Sequence, residues 1–166
     1  MGEAARVARK DAEFFRGTGY ASYAYNCGPV EKAGEQVVRR FFDYFSIRYT
    51  KNGDPYLPPF IVSGLNIDVH TRALKFKEQY DHYGLTGGNL NIERFPGIVP
   101  ELGLLRSADI YVFCGFDVCS YEGFLFGWTD SGTLAEVELS TGCKYPAKFV
   151  KLSKLYSPHS LLDELC

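Results

Sequence analysis

The stretch from Leu65 to Leu74 constrains the fold of this chain more than any other. Ile67, Val69, Thr71 and Ala73 alternate with Asp68, His70 and Arg72, a period of two that fits an extended strand because successive side chains there point to opposite faces. One face therefore belongs to a core. The other gathers an acid, an imidazole and a guanidinium, with Asp68 and His70 roughly 6.6 Å apart along the strand. Taken alone, the same face reads equally well as a solvated strand surface, so its meaning depends on what surrounds it.

Upstream, Gly28-Pro29 opens a helix over about residues 30–45, in which Ala33, Val37, Val38, Phe41, Phe42 and Phe45 recur at helical spacing. A first helix is expected over 2–16, ended by Gly17-Thr18-Gly19. From Ser46 the texture changes to short β-branched and aromatic runs separated by Asn52-Gly53-Asp54-Pro55 and Gly64. Residues 80–103 read as loop with a short strand near Asn91 to Arg94. Asp109 to Cys114 and Tyr121 to Trp128 are apolar runs of strand length, joined through Asp117 to Ser120, and imply a hairpin or adjacent central strands. Ser131 or Thr133 caps a short helix through Val137, and the tail from Ala147 to Leu162 alternates Lys with apolar residues. The chain of 166 residues matches one domain. Strands and helices interleaved in this way give an α/β class, a mixed central sheet flanked by helices.

Composition narrows the functional classes. Eighteen Lys and Arg against 20 Asp and Glu leave a net charge of -2, so no global positive field draws nucleic acid to the chain and any such binding needs a local patch. No apolar run is long enough to cross a bilayer, and Met1 to Arg9 lacks the apolar stretch of a signal peptide; the expectation is a soluble, intracellular protein. Five cysteines without a C-x-x-C pair fit reduced thiols better than a disulfide framework or structural zinc.

Three carboxylates converge if the strands pack on the second helix. Glu35 lies beside that helix's apolar face, Asp54 sits in the turn that starts the sheet, and Asp68 stands on the polar face of the alternating strand. Gathered at a strand end, such oxygens suit Mg²⁺ or Mn²⁺. Each also has a plainer reading: Glu35 paired with Arg39 one turn on, Asp54-Pro55 as turn chemistry, Asp68 on a solvated face. Arg39, Arg40, Arg48, Lys51, Arg72, Lys75 and Lys77 are interleaved with Tyr44, Tyr49, Tyr56 and Tyr80, a mixture that grips phosphates and stacks on unpaired bases, or that simply solvates strand edges.

The order Glu35 on a helix, Asp54-Pro55 at a turn, and then Asn66-Ile67-Asp68-Val69-His70-Thr71-Arg72 on a strand resembles the PD-(D/E)xK nuclease superfamily, the restriction-endonuclease-like fold. The likeness continues more loosely through Ala108 to Phe113 and Gly123 to Trp128, which look like the later core strands. It covers roughly residues 30–137 as a nuclease-like core, leaving 1–29 and 138–166 as peripheral helical or loop extensions.

The resemblance implies a restriction-endonuclease-like three-layer core and a metal-dependent nuclease. Asp54 and Asp68 would hold Mg²⁺ or Mn²⁺, the carbonyl of Val69 would complete part of the shell, and Glu35 would bind metal or water. The metal would activate a water to hydrolyse a phosphodiester, with DNA the first substrate to consider. His70 stands where the family commonly uses Lys, so the cation is His70, with Lys75 as an auxiliary, or the site is a degenerate one that binds nucleic acid or protein. Arg39, Arg48, Lys51, Arg72 and Lys77 would contact nucleic acid. A homodimer would place one site on each strand of a duplex. A third class, a protein-interaction module of unrelated fold, follows from the 16% aromatic content and the slight negative charge.

Overall fold

The computed structural model describes residues 2–6, 28–54, 57–74, 94–96, 108–117, 120–140 and 147–166. Residues 2–6 are helical, and the rest of the expected helix over 2–16 lies outside the described residues, as does the expected loop of 80–103 apart from one short strand.

The second helix, α1, spans Gly28–Tyr44, close to the expected limits. Its buried positions Gly34, Val38 and Phe42 recur every four residues and form the stripe that faces the sheet. The helix ends in a Schellman arrangement. Ser46 takes a positive φ of 55°, its N–H reaches the carbonyl of Asp43 at 3.2 Å, and the N–H of Ile47 reaches the carbonyl of Phe42 at 2.8 Å. Ile47 then packs with Phe42 in the core, so the motif satisfies the last carbonyls and turns the chain into the sheet.

Five strands follow in one mixed sheet: β1 (Thr50–Lys51), β2 (Phe60–Val62), β3 (Leu65–Leu74), β5 (Ile110–Asp117) and β6 (Gly123–Asp130), in the spatial order β1-β2-β3-β5-β6. β1, β2 and β3 form an antiparallel meander, β3 and β5 are parallel, and β5 and β6 form the expected hairpin. β6 starts two residues later than expected because Tyr121, at φ 58°, belongs to the connection and is mostly exposed. Every residue of β5 is buried, as suits a central strand covered on both faces.

A second sheet of three strands has the order β4-β8-β7, with β4 Arg94–Pro96, β7 Leu139–Ser140 and β8 Ala147–Lys151. Between β6 and β7 in the chain comes α2, Ser131–Ala135. Its cap is Asp130, not Ser131 or Thr133: Thr133 donates its backbone N–H to Oδ1 of Asp130 at 2.7 Å and its hydroxyl to Oδ2 at 2.9 Å. A carboxylate one residue earlier wins because it accepts both bonds at once.

The chain closes with a 3₁₀ turn, Leu152–Lys154, and α3, Ser160–Leu165. This tail is more than a peripheral extension. Leu161 and Leu165 are buried in the same cluster as Val38, Phe42 and Phe60, and Trp128 Nε1 donates to Ser160 Oγ at 2.9 Å. Trp128 and Tyr156 also exchange backbone hydrogen bonds at 2.9 and 3.1 Å. Gly127 permits that approach, since a Cβ there would overlap the Tyr156 carbonyl and stand 2.9 Å from Leu155 Cβ.

The described residues thus form three layers: α1 and α3 on one face of the five-stranded sheet, that sheet, and α2 with the small sheet on the other face. The first interface holds Val38, Phe42, Phe60, Ile67, Val69, Val112 and Trp128; the second holds Ala108, Tyr111, Phe113, Leu134 and Val150. The fold is α/β with a mixed sheet, as expected. One face is covered by α1 and α3, and on the other the short α2 shares the cover with strands. Among the described residues no helix is long and apolar enough to cross a membrane.

Candidate functional site

β3 separates its side chains as the alternation requires. Ile67 and Val69 enter the α1 interface, and Thr71 stands against Gly34, where a Cβ would overlap the threonine side chain. That close approach fixes α1 over β3. Asp68, His70 and Arg72 therefore face the other way, toward the layer of α2 and β8.

On that face Asp68 is 5% exposed. Its Oδ1 accepts the N–H of Val69 at 3.0 Å, and its Oδ2 lies 3.3 Å from Nε2 of His70. The imidazole is stacked on Phe113, with ring centroids 5.7 Å apart and planes 25° apart, and leans on Tyr111 at 6.0 Å. Register explains both contacts, because Tyr111 pairs with Asp68 and Phe113 with His70 across the parallel ladder. Arg72 continues the row half-buried, and burial lowers its guanidinium below the usual value. Burial also pushes the Tyr111 phenol up; the Ala108 N–H it accepts opposes this, and the charge of Asp68 adds to it.

Two more polar groups belong to this face. Asp117, 1% exposed, ends β5 two residues beyond Gly115, the partner of Arg72, and its Oδ1 accepts the N–H of Ser120 at 3.3 Å. Thr129, also 1% exposed, pairs with Tyr111, and its hydroxyl has no hydrogen-bond partner among the described residues. The face is thus a buried polar strip walled by aromatic rings. Sequence reading placed Asp117 in a connection; the signal available was its position directly after an uninterrupted apolar run.

The other expected site residues lie elsewhere. Glu35, 4% exposed, belongs to the α1 side of the sheet, where Lys32 Nζ lies 2.9 Å from Oε1 and Lys51 Nζ 3.9 Å from Oε2. Its partners are these lysines and not Arg39, which is half-buried near Tyr49. Lys51, expected on nucleic acid, reaches Glu35 because it pairs with Phe60, whose ring packs against Phe42. Asp54 is exposed in the β1–β2 connection, with its carbonyl accepting the N–H of Leu57 at 3.0 Å. Arg48 is exposed beyond the end of α1. Lys75 and Lys77 lie outside the described residues.

The structure brings Asp68, His70 and Arg72 onto one face and does not bring Glu35, Asp54 and Asp68 together. The antiparallel register Phe60↔Ile67, carried one residue further, puts buried Pro59 beside Asp68 on one side, and Tyr111 flanks it on the other. The carboxylate on the β5 side is Asp109, whose Oδ2 accepts the N–H of Asn66 at 2.8 Å and whose charge acts with that of Asp68 on the Tyr111 phenol. Among the described residues no group of three or more His, Cys, Asp or Glu side chains is placed to hold a metal ion. Among the described residues, Glu35, Asp54 and Asp68 do not converge into the shell of hard oxygens that Mg²⁺ or Mn²⁺ favours. Cys114, buried on the α1 side, has its thiol pushed up by burial and behaves as a small core hydrophobe.

Comparison with protein-family models and with curated proteins finds no match to this chain in either.

Proposed function

We propose that this chain is a degenerate restriction-endonuclease-like domain that binds nucleic acid without the metal-dependent chemistry of the superfamily it resembles. The observation that carries the reading is the separation of Glu35, paired with Lys32 and Lys51 on the α1 side of the sheet, from Asp68 on the opposite face, where His70 stands 3.3 Å from its carboxylate. An imidazole stands beside the acid at the position where the superfamily that the chain resembles commonly uses Lys. The order of α1, the meander carrying Asp68, and then β5 and β6 agrees with the order of motifs on which the resemblance rests. Arg72 on the polar face and Arg40 and Arg48 at the end of α1 provide cations for phosphate.

One observation favours a second reading, the metal-dependent nuclease. Asp68 and His70 do share a face and touch, which is the relation an acid-x-cation motif needs. The two readings separate in one experiment: purified protein with labelled single- and double-stranded DNA and RNA, in Mg²⁺, Mn²⁺ or EDTA, beside Asp68→Ala. The expected result is salt-sensitive binding without cleavage in any metal. Metal-dependent cleavage that Asp68→Ala abolishes would establish the nuclease instead, and absence of both binding and cleavage would point to a protein partner.

A further inference from the structure

The Schellman turn that ends α1 has a second consequence. By sending Ile47 back into the core, it leaves Tyr44 and Phe45, the last residues before the turn, on the outside. Tyr44 is 82% exposed and Phe45 36%, which is unusual for neighbouring large aromatics. Their rings meet edge to face at 4.9 Å with an 82° interplanar angle. Phe45 is held from behind by Phe41 at 4.9 Å and by the edge of His159, from the start of α3, at 6.0 Å. The inner ring is thus anchored and the outer ring presents an open face.

Charge decides what such a pair suits. Arg40, exposed, lies one helical turn before Tyr44 and on the same side of α1, and exposed Arg48 follows Phe45 by three residues. Asp43 is the acidic residue within this run; it is hydrogen-bonded to the Tyr49 hydroxyl and acts on that phenol together with Arg39. Exposed Asp163 and Glu164 on α3 mark the acidic border beyond His159. Aromatic faces beside guanidinium groups match a chain of alternating planar bases and phosphates, and only unpaired bases offer their faces for stacking.

We propose that the C-terminal end of α1 is a stacking platform for single-stranded nucleic acid, with Tyr44 and Phe45 receiving bases and Arg40 and Arg48 meeting the flanking phosphates. This deepens the nucleic-acid reading and rests on it, while moving the contact away from the strip of Asp68 and His70 to the opposite layer.

Fluorescence anisotropy with a labelled oligo-dT strand, its RNA counterpart and a blunt duplex, over a salt series, tests the platform. Tyr44→Ala is expected to weaken single-strand binding about tenfold, in line with the loss of one base–aromatic stack. Tyr44→Phe should stay within about twofold of wild type. Arg48→Ala should reduce the salt slope by about one, as for one lost phosphate contact. The ring is exposed, so unchanged unfolding curves will accompany the Tyr44 variants. Wild-type binding that Tyr44→Ala leaves untouched overturns the platform and leaves the nucleic-acid reading standing. No binding by wild type to any of the three probes overturns both. Self-association in sedimentation that Tyr44→Ala abolishes, with strand binding unaffected, overturns the platform and assigns this face to a second copy of the chain.

Discussion

The two faces of β3 are made by alternate residues of one strand, yet different forces hold them. On the α1 side Ile67 and Val69 meet Val38, Phe42 and Val112, and the helix backbone at Gly34 presses on Thr71; shape and volume fix that side. On the other side His70 lies against the rings of Tyr111 and Phe113 and stands 3.3 Å from Asp68, and pairing among polar groups fixes that side. A strand thus keeps a charged row inside a protein only by pairing it. Burial makes Asp68 dependent on a partner, and the partner beside it is an imidazole of its own strand.

The largest expected effect tests the first face. Phe42, fully buried and edge-on to Phe60 at 5.4 Å, should cost about 3–5 kcal/mol when replaced by Ala, read as a lower urea midpoint with an unchanged slope. A loss below about 1 kcal/mol would mean that the α1 interface is not close-packed.

Next comes the contact that sets the distance between helix and sheet. Gly34→Ala should cost about 1–3 kcal/mol through overpacking against Thr71. Adding Thr71→Ala removes two of the three atoms the new methyl would meet, so part of the loss should return in the double variant. Additive losses would show that the two residues do not touch.

How much of this was legible follows from the same contrast. The alternation from Leu65 to Leu74 sorted Ile67 and Val69 from Asp68, His70 and Arg72 correctly, because a period of two depends on local geometry alone. The helix limits were legible for a similar reason. That Glu35 and Asp68 are on opposite sides of the sheet was not, since a carboxylate beside an apolar helical stripe says nothing about which side of the sheet the helix covers. The role of Leu161 and Leu165 was equally hidden, because a short tail joins the core only through contacts distant in sequence. Asp117 carried a local signal, a carboxylate closing an apolar run, but its face depends on the register of β5 against β3.

On the second face, His70→Leu should cost about 2 kcal/mol, because it withdraws the imidazole at 3.3 Å from a nearly buried carboxylate. The double variant Asp68→Leu with His70→Leu is expected to recover part of that loss, since it removes the buried carboxylate together with the imidazole, while the Val69 N–H loses the Oδ1 that accepts it. If the double variant is instead the less stable by the sum of both changes, the strip is held by its rings and not by the Asp68–His70 contact.

The smallest effect concerns the brace behind that face. Asp130 ends β6 and caps α2, whose Leu134 packs with Tyr111 and Phe113. The Thr133 N–H that its carboxylate accepts is the main reason its carboxyl is held below the usual range; partial burial opposes this, and the Thr133 hydroxyl reinforces it. Asp130→Ala should therefore lose about 1 kcal/mol at neutral pH. Because the folded carboxyl has the lower pKa, its contribution is complete above the ordinary carboxylate range and is lost as the pH falls through the folded value. Urea unfolding of wild type and variant at pH 7 and then stepwise into acid should show the gap between midpoints closing. A gap that stays constant would trace the loss to packing at the start of α2, and the polar face would then owe nothing to the charge of its cap.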